Sequence, residues 1–289
     1  MTVNWTTPKI VVLVVATSVL TAVCNQLLLR HTPLASGGFM ARQGQAMMGR
    51  QATAGMRGMT LRQYPPTDPQ ALADLENKVK DRQVTKETTN EITISLQPRI
   101  NCKLTDALAD QPGEKDHTLE ALPPGVHIYG GVPFDVQGLI QLNGPSVQLG
   151  TKLWPLEVTN IAIGHPFTKL HLLQGAFNIV APQAHLTYAK LILHYADGSQ
   201  EELALAGGTQ ALRCVDGQIP QELDMLPAPQ TELAWVGTNP YLKKNNAGAS
   251  LHLYRTTFDN PKPGTPVASA DYLSTMVNPG PFLAGLTIE

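Results

Sequence analysis

LILHYADGSQEELAL, Leu191 to Leu205, is two runs of alternating apolar and polar residues joined by Asp197-Gly198. A period of two marks a strand with one buried face, and Asp-Gly supplies the positive-φ chemistry of a tight hairpin turn. The stretch predicts an antiparallel hairpin of Leu186 to Tyr195 with Glu201 to Ala206. Similar runs lie on either side: Val158 to Ile163, Lys169 to Leu173, Glu232 to Val236, Leu251 to Phe258, Val267 to Tyr272 and Phe282 to Ile288. Further upstream, Ile92, Ile94 and Leu96 alternate, as do Phe134, Val136, Ile140 and Leu142, with Gly138 admitting a bend or bulge. Asn143-Gly144, Asn260-Pro261 and Pro279-Gly280 punctuate these runs.

Composition agrees with short strands and many turns. Gly and Pro number 24 and 23 among 289 residues, too many for a helix bundle, while 43% hydrophobic residues suffice for a core. One buried face per strand is most simply satisfied by two packed sheets. The expected fold is therefore all-β, a jelly-roll-like antiparallel β-sandwich over 92–289.

Charge divides the chain. Lys9, Arg30, Arg42, Arg50, Arg57 and Arg62 precede the first acid, Asp68, so with a net charge of −2 overall, the remainder carries −8. An acidic domain is a poor partner for nucleic acid. After a tail over 1–9, the uncharged stretch 10–29 between Lys9 and Arg30 has the length of a bilayer-spanning helix. It reads as a transmembrane anchor or as a signal segment cleaved near Ala35-Ser36-Gly37. The flanking charges nearly tie, and it is the β-rich body that argues for a single-pass protein with an extracytoplasmic domain, or for a secreted one after cleavage. Residues 30–66 form a basic Gly/Gln/Met linker; its methionines suit Cu(I), but no His or Cys pattern accompanies them. Within 67–91, Asp68-Pro69 begins a short amphipathic helix to about Arg82, with Leu72, Leu75 and Val79 on one stripe and Glu76 and Lys80 paired. It serves as a stalk or packs on the domain. Cys24 falls in the membrane segment, leaving Cys102 and Cys214 either as a disulfide or as buried thiols.

The segments GVHIYGGVPFDVQGLIQLNG, FTKLHLLQGA, LHYADGSQEELALAGG, LAWVGTNP and the run LHLYRTTFDNPKPG to GPFLAGLTIE together resemble a poorly characterised bacterial family of β-sandwiches of the galactose-binding-like type. The resemblance implies an extracytoplasmic domain, in some members attached to membrane proteins that resemble anti-sigma factors or kinases. It brings no established reaction. After the hairpin, GGTQALRCVDG departs from the family pattern, so no ligand role of that loop carries over.

No GxSxG, HExxH, CxxC or phosphate-binding Gly-Lys loop occurs, and the chain is read as non-catalytic. His171, His194 and His252 alternate with leucines and are expected to face away from the core. His165, in a loop beside Gly164 and Pro166, is freer to bind, and with Asp135 or Asp197 would make a catalytic or metal cluster if the fold gathered them. Glycan recognition uses exposed aromatic rings beside polar groups. Trp154, between turn-prone segments, and Tyr241, after Asn239-Pro240, are the ligand-binding candidates; Trp235 shares a face with Leu233 and is assigned to the core. No cofactor is called for, although Asp135, Asp259 and Asn260 are turn oxygens of the kind a structural Ca²⁺ takes. The expected function is a membrane-anchored binding module for an envelope glycan or partner protein. The alternatives are a structural or regulatory interaction domain of a membrane assembly, or a secreted hydrolase.

Overall fold

The hairpin at Asp197-Gly198 forms: β7 (Thr187–Tyr195) pairs with β8 (Gln200–Ala206), Gly198 takes φ of +84°, and Asp197 accepts from the Ser199 amide at 2.8 Å. The computed structural model describes residues 69–81, 90–108, 113–148, 150–177, 186–206, 215–216, 226–227, 230–245, 249–277 and 279–289, all within the unit Leu61–Glu289. The expected tail, membrane segment and linker, with Cys214, lie outside the described residues. Among the described residues no helix is long and apolar enough to cross a membrane.

The hairpin belongs to a four-stranded sheet, ordered β5 (Glu157–His165), β13 (Val267–Ser274), β7, β8. An eight-stranded sheet runs β1 (Ile92–Ile94), β14 (Gly280–Ile288), β6 (Lys169–Phe177), β12 (Ser250–Asp259), β11 (Gln230–Gly237), β10 (Leu226–Pro227). Two short strands join it off that path, β4 (Ile140–Gln141) on β14 and β9 (Val215–Asp216) on β12. All pairs are antiparallel. The two sheets share a core in which Leu170, Leu172 and Leu286 of the larger meet Leu191, Leu193 and Tyr272 of the smaller. An all-β, antiparallel, sandwich-like fold follows. Helix α1 (Pro69–Asp81) buries Leu75 and Val79 in that core and packs against β11, as its stripe predicts.

The larger sheet is buried on its second face too. A separate hairpin, β2 (Gly125–Tyr129) with β3 (Val132–Val136), and the segments carrying Leu104, Leu119, Val147 and Trp154 pack on Leu173, Leu251, Leu253 and Phe282. The run expected from Phe134 to Leu142 is thus two strands, β3 covering the sheet and β4 joining it.

This third layer overturns two expectations. His171 points to the covered face and is 3% exposed; His252 points between the sheets beside Tyr254 and is fully buried. Alternation with leucine means solvent only where one face is wet, and here neither is. His194, on the two-faced smaller sheet, is half-buried and bonds Asp271 at 2.8 Å, as alternation there requires. A bulge between Leu233 and Trp235 also sends these residues to opposite cores, so the shared face expected for them is lost.

One chain of buried polar groups inside the sandwich is mutually satisfied. Tyr188 donates to Gln174 at 3.0 Å, Gln174 donates to Thr256 at 2.6 Å, and Thr256 meets Thr231 at 2.9 Å. Such a chain ties β7 to β6, β12 and β11 and fixes their register, because any slip leaves several groups unpaired in low dielectric.

Candidate functional site

Where α1, the β2–β3 hairpin and β11 converge, they leave a cleft of about 460 Å³. The helix supplies Glu76 and Val79, the hairpin Val126, His127, Ile128 and Tyr129, and β11 Trp235 and Val236. The hairpin stands proud here because its sheet-facing residues, Phe134 and Val136, are fully buried while Val126, on the partner strand, is 61% exposed. His127 is exposed, with Nε2 3.0 Å from the Pro124 carbonyl. Tyr129 is buried, donates to the Pro123 carbonyl at 3.4 Å, and has its phenol pushed up to about 12 by desolvation. The cleft therefore offers aliphatic and ring surface, one carboxylate and one imidazole, and the volume of a small ligand.

A second cluster lies at one end of the larger sheet. Glu91, His171 and Glu289 bring one donor atom each within 4.8 Å of the others. His171 Nδ1 meets Thr257 Oγ1 at 2.9 Å, and its Nε2 is 3.4 Å from Glu289 Oε2. Burial first, then the charge of Arg255, lowers the His171 pKa to about 4, so the ring is neutral at pH 7. Lys169, 3.4 Å from Glu289, helps hold that carboxyl below the usual range against the desolvation that opposes it.

Trp154 is 5% exposed, with Lys152 Nζ 4.3 Å from its ring centroid; the exposure expected of it is not found, because the loop folds its ring under the sheet-covering layer. Tyr241, at the start of α2 (Pro240–Asn245), stacks on His117 with centroids 4.9 Å apart and donates to Glu114 at 3.0 Å. It is half-buried and spent on that contact. His165 is exposed at the end of β5. Among the described residues no hydrogen bond or ion pair joins it to Asp135, which accepts from Gln137, or to Asp197 in the β7–β8 turn. Asp259 is exposed, and Asn260 is engaged with Tyr195, Phe167 and Lys262, closing the β12–β13 loop. Cys102 is buried, and its sequence partner is outside the described residues.

Sequence reasoning missed the cleft and the Glu91–His171–Glu289 cluster. The run GVHIY between Pro124 and Gly130-Gly131 carried a signal for β2, since short β-branched and aromatic runs bounded by Gly and Pro read as strands. Nothing in sequence spacing joins positions 91, 171 and 289. No protein-family model matches the chain, and no curated protein matches it.

Proposed function

We propose that the protein is a non-catalytic binding module, held at a bacterial membrane by residues 10–29 with its β-domain extracytoplasmic, that takes a short glycan in the cleft between α1, β2–β3 and β11. The finer description of the sandwich as a galactose-binding-like jelly roll belongs to the same reading. The observation that carries it is the cleft itself. Its volume of about 460 Å³ suits one or two sugar rings, Trp235 and Tyr129 stand in its walls, and Glu76 and His127 can bond hydroxyls. Retention of the purified chain on a panel of envelope polysaccharides tests it. Val126→Asp and His127→Ala change exposed lining residues and are expected to weaken retention at least tenfold without lowering the melting temperature. Unchanged retention in both variants, or none in the wild type, rejects the reading.

A specific observation favours a second reading, a regulatory interaction domain. Leu153 and Leu156 are 95% and 54% exposed on either side of the buried Trp154, an apolar tip on a fixed base. In that case Leu153→Asp abolishes capture of a solubilised membrane protein, and the cleft variants leave it intact.

A further inference from the structure

We infer that Glu91, His171 and Glu289 form a site for a borderline divalent transition-metal ion, with Zn²⁺ as its representative, separate from the cleft. The three residues come from neighbouring strands of one sheet: Glu91 just before β1, Glu289 just after β14, and His171 on β6, where β14 lies between β1 and β6. Sheet pairing alone thus gathers three ligands, two carboxylates and an imidazole, from distant parts of the chain, with donor atoms within 4.8 Å of one another.

The imidazole points to a ligand. His171 is 3% exposed, Thr257 Oγ1 engages its Nδ1 at 2.9 Å, and its buried Nε2 makes no hydrogen bond, Glu289 Oε2 standing 3.4 Å away. In the tautomer whose Nδ1–H donates to the hydroxyl, Nε2 turns a lone pair towards the carboxylates, and a cation between them removes the repulsion. A ligating histidine usually donates its other ring N–H to an oxygen acceptor behind it, and the Thr257 hydroxyl stands in that place. Tetrahedral ligands about 2.1 Å from Zn²⁺ are about 3.4 Å apart, the separation His171 and Glu289 already have. The nitrogen donor disfavours Ca²⁺ and Mg²⁺, which take oxygen.

Two cations border the site. Arg255, whose charge reaches His171, is paired with Glu232 at 3.1 Å and donates to the Gly130 carbonyl at 2.7 Å, so that charge is partly offset. Lys169, 3.4 Å from Glu289 Oε1, has a side chain 44% exposed and can yield the carboxylate by turning into solvent. The ion would then pin the ends of β1, β6 and β14 together, its remaining position open to water beside the partly exposed Glu289.

The test is titration of the full chain, freed of metal by chelator, with Zn²⁺ alone, followed by calorimetry and by melting temperature. One Zn²⁺ per chain with a raised melting temperature is expected, and Co²⁺ in its place should give visible d–d absorption. Glu289→Gln should weaken binding at least tenfold, and His171→Gln should abolish it. If His171→Gln fails to fold, the double variant Glu91→Gln, Glu289→Gln is the deciding one and should bind no Zn²⁺. The inference is overturned if the wild type takes up no Zn²⁺ at micromolar concentration. It is equally overturned if Glu289→Gln and the double variant bind like the wild type, or if equimolar Ca²⁺ displaces the Zn²⁺.

Discussion

At the scale of single residues, burial of ionisable rings sets a pH limit. Desolvation lowers the His252 pKa to about 4, against about 6.5 in an unfolded chain. The unfolded state takes up a proton first as pH falls, so this contribution is whole above about 6.5 and is lost towards 4, at no more than about 1.4 kcal/mol per pH unit. Urea midpoints are expected to fall between pH 7 and 4.5, and those of His252→Gln to fall less over the same interval; equal slopes would rule the imidazole out as a source. Trp154 makes a second case. Trp154→Ala removes a buried ring and should cost about 3–5 kcal/mol by denaturant titration, while leaving retention on any ligand of the cleft unchanged. Loss of retention at full stability would instead make it a contact residue. Its sequence neighbourhood, LWPL among turns, suggested a wet loop, but a large ring in an irregular segment is often the anchor that lets the segment close.

Among elements, the legible ones were those with one wet face. The β7–β8 hairpin reads directly, since its outward residues, Lys190, Ile192 and His194, are half-buried at most and its inward ones are leucines and tyrosines. Strands β6 and β14 are buried almost end to end, so alternation in them carried no information about solvent. The informative signal in β14 is density: GPFLAGLTI is a near-continuous apolar run, the mark of a strand covered on both faces, whereas KLHLLQGAF of β6 interrupts its leucines with Lys169, His171 and Gln174. Their small residues are places where neighbours come close, the covering layer at Gly280 and Gly285 and the paired strand at Gly175. A Cβ on Gly175 would stand 2.6 Å from the Phe282 ring, whereas one on Gly198 meets nothing. Gly175→Ala is therefore expected to cost about 1–3 kcal/mol by overpacking. Gly198→Ala, at φ of +84°, should cost about 1–2 kcal/mol from backbone strain. Thermal melts separate the mechanisms, because trimming the ring with Phe282→Leu should relieve the first cost and leave the second untouched.

For the molecule as a whole, the arrangement is a sheet with cover on both sides, and protection should grade outwards from it. Amides of β6, β12 and β14 are expected to exchange with deuterium slowest, and those of β8 and β5, which border the four-stranded sheet, fastest. Uniform exchange across both sheets would mean that the layers open together. The sequence predicted two sheets well because each strand announces itself locally; the third layer stayed hidden because it is built from a short hairpin and irregular segments whose apolar residues have no period. β14 lies between β1 and β6 and also takes β4, yet among the described strands it comes after all of these in sequence. During synthesis, which proceeds from the amino end, β1 has no partner and β6 keeps one unpaired apolar edge until β14 arrives. That interval is when the nascent protein is most open to pairing with another copy of itself, and a holding chaperone would matter most then.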